Sequence, residues 1–147
     1  MDRNAQIRAA QERVIAVFRK KPDAALSSIH GTGHLAEGLT CKFRQGDHKA
    51  VMDMSKVLGG DEKGPTPGFF IRAGLAGCVA IGIKLTATRE GMVIDSIDVG
   101  VEMDFDDGAL LGVGSNSASP LETRYHRSSD GGGRERVHCV GSGSSHH

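Results

Sequence analysis

From Ile97 to Phe105 the apolar residues Ile97, Val99, Val101, Met103 and Phe105 alternate with Asp98, Gly100, Glu102 and Asp104. A period of two predicts a strand with one buried and one wet face. Asp107-Gly108 follows as a hairpin turn signal, with Ala109 to Val113 as the returning strand. Upstream, nothing but glycine interrupts a helix from Pro67 to about Glu90, which at about 1.5 Å per residue would reach roughly 36 Å. Pro67 suits its first turn and Gly91 the position just beyond its end. Apolar or small residues occur on every face from Phe69 to Ile83, which predicts a helix buried on most sides and central to the domain. Gly74, Gly77 and Gly82 each cost about 1 kcal/mol against Ala in a helix interior, a cost that predicts close approach of a second helix or a ligand.

Asp2 caps a first helix in which Ile7, Ala10, Val14 and Val17 recur at helical spacing, and Pro22 ends it. Leu26 to His34, Gly38 to Arg44 and His48 to Met52 are short segments separated by glycine-containing turns, the pattern of an antiparallel meander. Leu58-Gly-Gly-Asp61 through Pro67 is a loop by composition. Strands, a central helix and strands again define an α+β domain. After Tyr125 almost no apolar residue occurs and neither period is present, so little there can offset the entropy of ordering the backbone. The divisions are an N-terminal amphipathic helix (1–22), a globular domain (23–125) and a loosely ordered glycine- and serine-rich tail (126–147). The closing GSGSSHH resembles a linker and a clipped histidine tag, so His146 and His147 receive no role.

Composition narrows the function. Lys plus Arg (18) equals Asp plus Glu (18), so no bulk field draws the chain to nucleic acid or an acidic membrane. Residues 1–21 are charged and lack the apolar core of a secretory signal. The apolar run Gly68–Ile83 contains Arg72 and ends at Lys84, which reads as too short and too polar to span a bilayer. Three cysteines, Cys41, Cys78 and Cys139, without CxxC spacing argue against a disulfide framework or structural zinc, and for a reducing, cytoplasmic setting.

Glu102-Met-Asp104-Phe-Asp106-Asp107 has acids in the order of a calcium loop but Asp107 at the glycine position, so it reads as a solvated strand face. Gly31-Thr-Gly33 and Gly112-Val-Gly114 lack the third glycine of a dinucleotide fingerprint and read as turns. His126, His138 and Cys139 have no second pair at ligand spacing, and no metal is assigned. Cys78, in an apolar helix, is by its surroundings alone a small hydrophobe with a raised pKa.

The segment Leu58-Gly-Gly-Asp61, Gly64-Pro-Thr-Pro67 and Ala73-Gly-Leu-Ala-Gly-Cys78 resembles the signature of the OsmC/Ohr family, the osmotically inducible and organic hydroperoxide resistance proteins. Gly46-Asp-His48, Asp53, Arg89-Glu-Gly91 and the strand Ile94–Phe105 continue the resemblance, which covers roughly Ser27 to Tyr125. It implies an OsmC-like fold, antiparallel β-sheets packed around a long central helix in an intertwined homodimer. It also implies a thiol-dependent peroxidase acting on organic hydroperoxides in the cytoplasm, with no bound cofactor and an external dithiol as reductant. Cys78 falls at the peroxidatic cysteine, Cys139 at a plausible distance for the resolving one, and Phe69 and Phe70 suit an apolar substrate pocket near the dimer interface.

The chain departs from the pattern at three points. Phe69 stands where the peroxidases carry a glutamate that positions an arginine. That arginine belongs to an early glycine-bounded loop, and the match in Gly31-Thr-Gly-His34 is His34; His30 and Arg72 are the other candidate cations, although Arg72 lies about 120° around the helix from Cys78. Family members continue past Tyr125 with a strand and a long helix, whereas here the text turns glycine-rich, as when a GC-rich gene is read out of frame from near His126. A second function is therefore carried: an OsmC-fold protein that binds a small apolar molecule at its dimer interface without catalysis.

Overall fold

The computed structural model describes residues 2–129, with side chains through His126. The chain divides into two compact units, one of residues 6–73 and the other chiefly of the chain from Gly74 onward. Helix α1 (Arg3–Lys20) begins where Asp2 Oδ1 accepts the Asn4 N–H at 3.3 Å, and it stops before Pro22. The face it half buries is carried by Ile7, Gln11 and Ile15, one residue off the expected Val14 and Val17, which are exposed.

Three antiparallel strands follow, β1 (Thr32–Leu35), β2 (Cys41–Gln45) and β3 (His48–Met52), in spatial order β1-β2-β3. Gly46 turns β2 into β3 with φ of 57°, and the register pairs Gln45 with His48 and Cys41 with Met52. The meander is the expected one, but its first strand starts only at Thr32. Gly31-Thr-Gly33 is thus strand entry and not a turn: the ring of Phe43 on β2 packs where a Gly31 side chain would stand.

Helix α2 (Pro67–Arg89) has nearly the expected bounds. Its end is fixed by Gly91 in the left-handed region (φ 77°), with Met92 N–H donating to Ala87 and Gly91 N–H to Thr88. This paired closure satisfies two of the last carbonyls. The expected burial on most sides is not present among the described residues. Only Ala87 and Thr88 of this helix are buried, and Ile81 and Phe69 are 62% and 49% exposed. Among the described residues, nothing lies within 4 Å of where a side chain would begin at Gly74, Gly77 or Gly82. By length and composition α2 also suffices to cross a membrane, contrary to the shorter run taken from the sequence, because it continues past Lys84 with Leu85-Thr-Ala.

In the other unit β4 (Ile97–Asp104) alternates half-buried and exposed positions as its sequence requires. Its partner is not Ala109–Val113. Asp106 caps a single helical turn, α3 (Asp107–Leu110), by accepting the Gly108 N–H at 3.0 Å, and Asn116 Nδ2 donates to the same carboxylate at 2.9 Å. The chain returns later as β5 (Glu122–Ser129), antiparallel to β4 with Asp104 opposite Glu122 and Gly100 opposite His126. β5 therefore crosses the boundary drawn at residue 126, and the rest of that tail, with His138, Cys139, His146 and His147, lies outside the described residues.

Candidate functional site

The loop that leads into α2 is built around one carboxylate. Asp53, just after β3, is 1% exposed. Its Oδ1 accepts the N–H groups of Met54 at 2.7 Å and Asp61 at 3.4 Å, and its Oδ2 accepts the Thr40 hydroxyl at 2.8 Å and the Lys63 N–H at 3.3 Å. Burial alone would raise the Asp53 pKa, but the Thr40 hydroxyl and the three backbone donors outweigh it and hold the carboxyl below its ordinary value. The Asp53 N–H donates to Pro65 and the Glu62 N–H to Met54. Backbone thus lies on backbone, and a side chain at Gly60 or Gly64 would collide with the main chain of Met54 or Val51. The glycines of this motif are required by close approach. The motif contains Asp53 without indicating its role; the signal for it is an isolated acid just after a strand and ahead of paired glycines.

Thr66 then accepts the Phe69 N–H at 3.0 Å, closing the first turn of α2. Phe69 and Phe70 meet edge to face, ring centres 5.3 Å apart and planes at 89°, a favoured aromatic geometry. Phe70 is half-buried and Phe69 exposed. At 100° per residue Cys78 stands about 80° around the helix from Phe70 and about 180° from Phe69.

Cys78 is a free, exposed thiol. Helical spacing sets it on one face with Gly74, Ile81, Gly82 and Leu85, of which Ile81 is 62% and Leu85 40% exposed. Its thiol therefore sits in an uncovered apolar stripe. Arg72 folds back toward Gly68, its Nη1 3.2 Å from the place of a Gly68 side chain. His34 lies exposed on β1 opposite Lys42, and His30 Nε2 pairs with the Thr32 hydroxyl at 3.2 Å. Cys41 is also a free thiol, half-buried on β2.

A second polar cluster occupies the wet face of β4 and β5. Arg124 reaches Asp104 at 2.6 and 2.9 Å, Glu102 at 3.2 Å and Glu122 at 2.9 Å, and His126 Nε2 lies 3.1 Å from Glu102. Hydrogen bonds from His126 first and Arg124 second lower the Glu102 pKa, and Arg124 lowers that of Asp104. These acids form a strand face neutralised by its cross-strand partner.

The OsmC-like protein family model matches residues 60–138, more than half of the 147 residues. The chain belongs to the OsmC-like family. No curated protein matches it. Among solved structures it resembles a crystal structure of an organic hydroperoxide resistance protein OsmC from Legionella pneumophila, described as a predicted redox protein and regulator of sulfide bond formation. The TM-score is 0.54 at 17% identity over 74% of this chain and 75% of that one, a likeness of fold. The α+β architecture with antiparallel sheets and one long helix agrees with that fold. The family match and β5 both continue past His126, where a change of reading frame was expected.

Proposed function

We propose that the chain is a thiol-dependent peroxidase of organic hydroperoxides with Cys78 as nucleophile. The observation that carries this reading is the exposed Cys78 thiol in an apolar stripe of the helix that follows the family's glycine loop. The thiolate sulfur attacks the terminal peroxide oxygen. The S–O bond forms as the O–O bond breaks, the alkoxide takes a proton and leaves as an alcohol, and Cys78 becomes a sulfenic acid. A second thiol, assigned to Cys139, displaces water to give a disulfide, which an external dithiol reduces by exchange. Phe70, with Phe69, supplies apolar contact for the organic tail, and His34 on β1 takes the place of the family's arginine.

The uncovered α2 supports a homodimer in which a second copy lies over the helix, in the reducing cytoplasm that the cysteine usage suits. The test is peroxide consumption with cumene hydroperoxide and a dithiol, beside Cys78→Ser. Loss in the variant is expected; equal rates in both would rule out catalysis by Cys78.

A second reading, an apolar-ligand binder without catalysis, is favoured by Phe69 at the glutamate position of the peroxidases. It predicts no peroxide turnover in the wild-type protein together with saturable binding of a fatty-acid probe.

A further inference from the structure

We infer that Asp53 is a positioning residue for the start of α2, and through it for the aromatic pair Phe69 and Phe70. The inference rests on the peroxidase reading only for what those rings contact. A hydrogen-bonded path runs from the Asp53 carboxylate to the Asp61 and Lys63 amides, and from the Asp53 N–H to the Pro65 carbonyl. The next residue, Thr66, accepts from Phe69 N–H. The carboxylate reaches eight and ten positions along the chain, and the loop has no slack at Gly60 or Gly64, where backbone touches backbone. The first turn of α2 thus inherits its place from a buried charge.

The variant Asp53→Asn keeps volume and tests this. Its side-chain oxygen can still accept from Met54 and Asp61, and Thr40 can turn its hydroxyl to accept. The new amide, however, meets the Lys63 N–H donor to donor. The Lys63 amide should exchange hydrogen roughly tenfold faster, with Asp61 following. In protein labelled with fluorophenylalanine, the Phe69 and Phe70 resonances should move while those of Phe18 and Phe105 stay. With cumene hydroperoxide KM should rise roughly tenfold with kcat nearly unchanged, and with the compact tert-butyl hydroperoxide KM should change little. Thr40→Ser, which retains the hydroxyl, should resemble the wild type, and Thr40→Val should fall between.

Faster exchange at Lys63 with unmoved Phe69 and Phe70 resonances would overturn the inference, since the clamp would then end at the loop. Equal losses with both hydroperoxides would overturn it as well. A wild-type protein that consumes no peroxide defeats the peroxidase reading alone, because the exchange and fluorine measurements still decide the role of Asp53.

Discussion

The loop from Asp53 to Thr66 and the helix that follows it are adjacent in sequence and held by opposite means. The loop is almost wholly polar backbone, yet one buried carboxylate and two backbone-on-backbone contacts satisfy it inside a single chain. Helix α2 is almost wholly apolar, yet it leaves Ile81, Leu85 and Phe69 in solvent and its glycines facing open space. The loop's polar groups find partners within the same unit of the chain, because hydrogen bonds are directional and short-ranged. Apolar surface at this density stays uncovered by the described residues. The motif's glycines accordingly serve two purposes: those of the loop admit this chain's own backbone, and those of the helix leave room for something else.

The sharpest way to break that contrast is a single methyl group on each side of it. Gly64→Ala sets a methyl against the Val51 carbonyl and should lower stability by about 3 kcal/mol, toward the upper end for overpacking against rigid backbone. Urea unfolding of variant and wild type measures it; a midpoint within error would show that the loop yields. Gly77→Ala should act through assembly. Among the described residues the methyl meets open space and helix propensity alone would stabilise by about 1 kcal/mol. Under the proposed dimer it intrudes on the covering copy, and sedimentation equilibrium should show weaker association. A gain in stability with no change in mass would mean that no backbone approaches Gly77.

The same contrast explains what could be read from the sequence. The β2 and β3 strands, β4 and the bounds of α2 were legible because period, turn glycines and capping residues act within a few positions. The returning strand was not. Asp107-Gly108 carries a hairpin signal, but Asp106 takes the Gly108 N–H and Asn116 amide instead, and a one-turn helix wins locally. β5 escaped notice because Glu122, Arg124 and His126 mask the alternation of Thr123 and Tyr125; those charges find partners only across the pair. Of the site, the motif singles out Cys78, Phe69 and Phe70, whose roles belong to the proposal. The role of Asp53 was not, since its four donors come from Thr40, Met54, Asp61 and Lys63, separated along the chain. Cover for α2 does not come from the described residues, and the sequence expresses that only as excess apolar surface.

A smaller effect separates the loop from the helix by pH. The Asp53 pKa is lowered from its ordinary 3.8 by its hydrogen bonds, against the opposing effect of burial. A depressed carboxyl contributes stability that is fully present above the unfolded-state value and is lost as pH falls through the lower folded one. The charged groups beside it are Asp61 and Lys63, which pair with each other at 2.7 Å. Exchange at Lys63 should therefore be constant in protection from pH 7 to about 4 and lose protection below, while the α2 amides near Ala87 follow global unfolding. Asp53→Asn should abolish the acid step.

The smallest effect belongs to the β4–β5 face. Arg124 joins Asp104, Glu102 and Glu122 in a network that is only partly exposed at its centre, with the Arg124 side chain 26% exposed and its three acids 44–58%. Solvent screens such pairs and salt weakens them further. Arg124→Met keeps the apolar stem and leaves three acids together on one wet face. It should lower the thermal midpoint slightly at low ionic strength, and the difference from wild type should shrink as salt is raised. Because Glu102 and Asp104 are lowered from their ordinary values by His126 and Arg124, their contribution is present near neutrality and disappears on acidification through their folded values. A deficit that is unchanged by both salt and acid would show that Arg124 acts through packing of its stem between the strands, and the face would then be held as α2 is, by apolar contact.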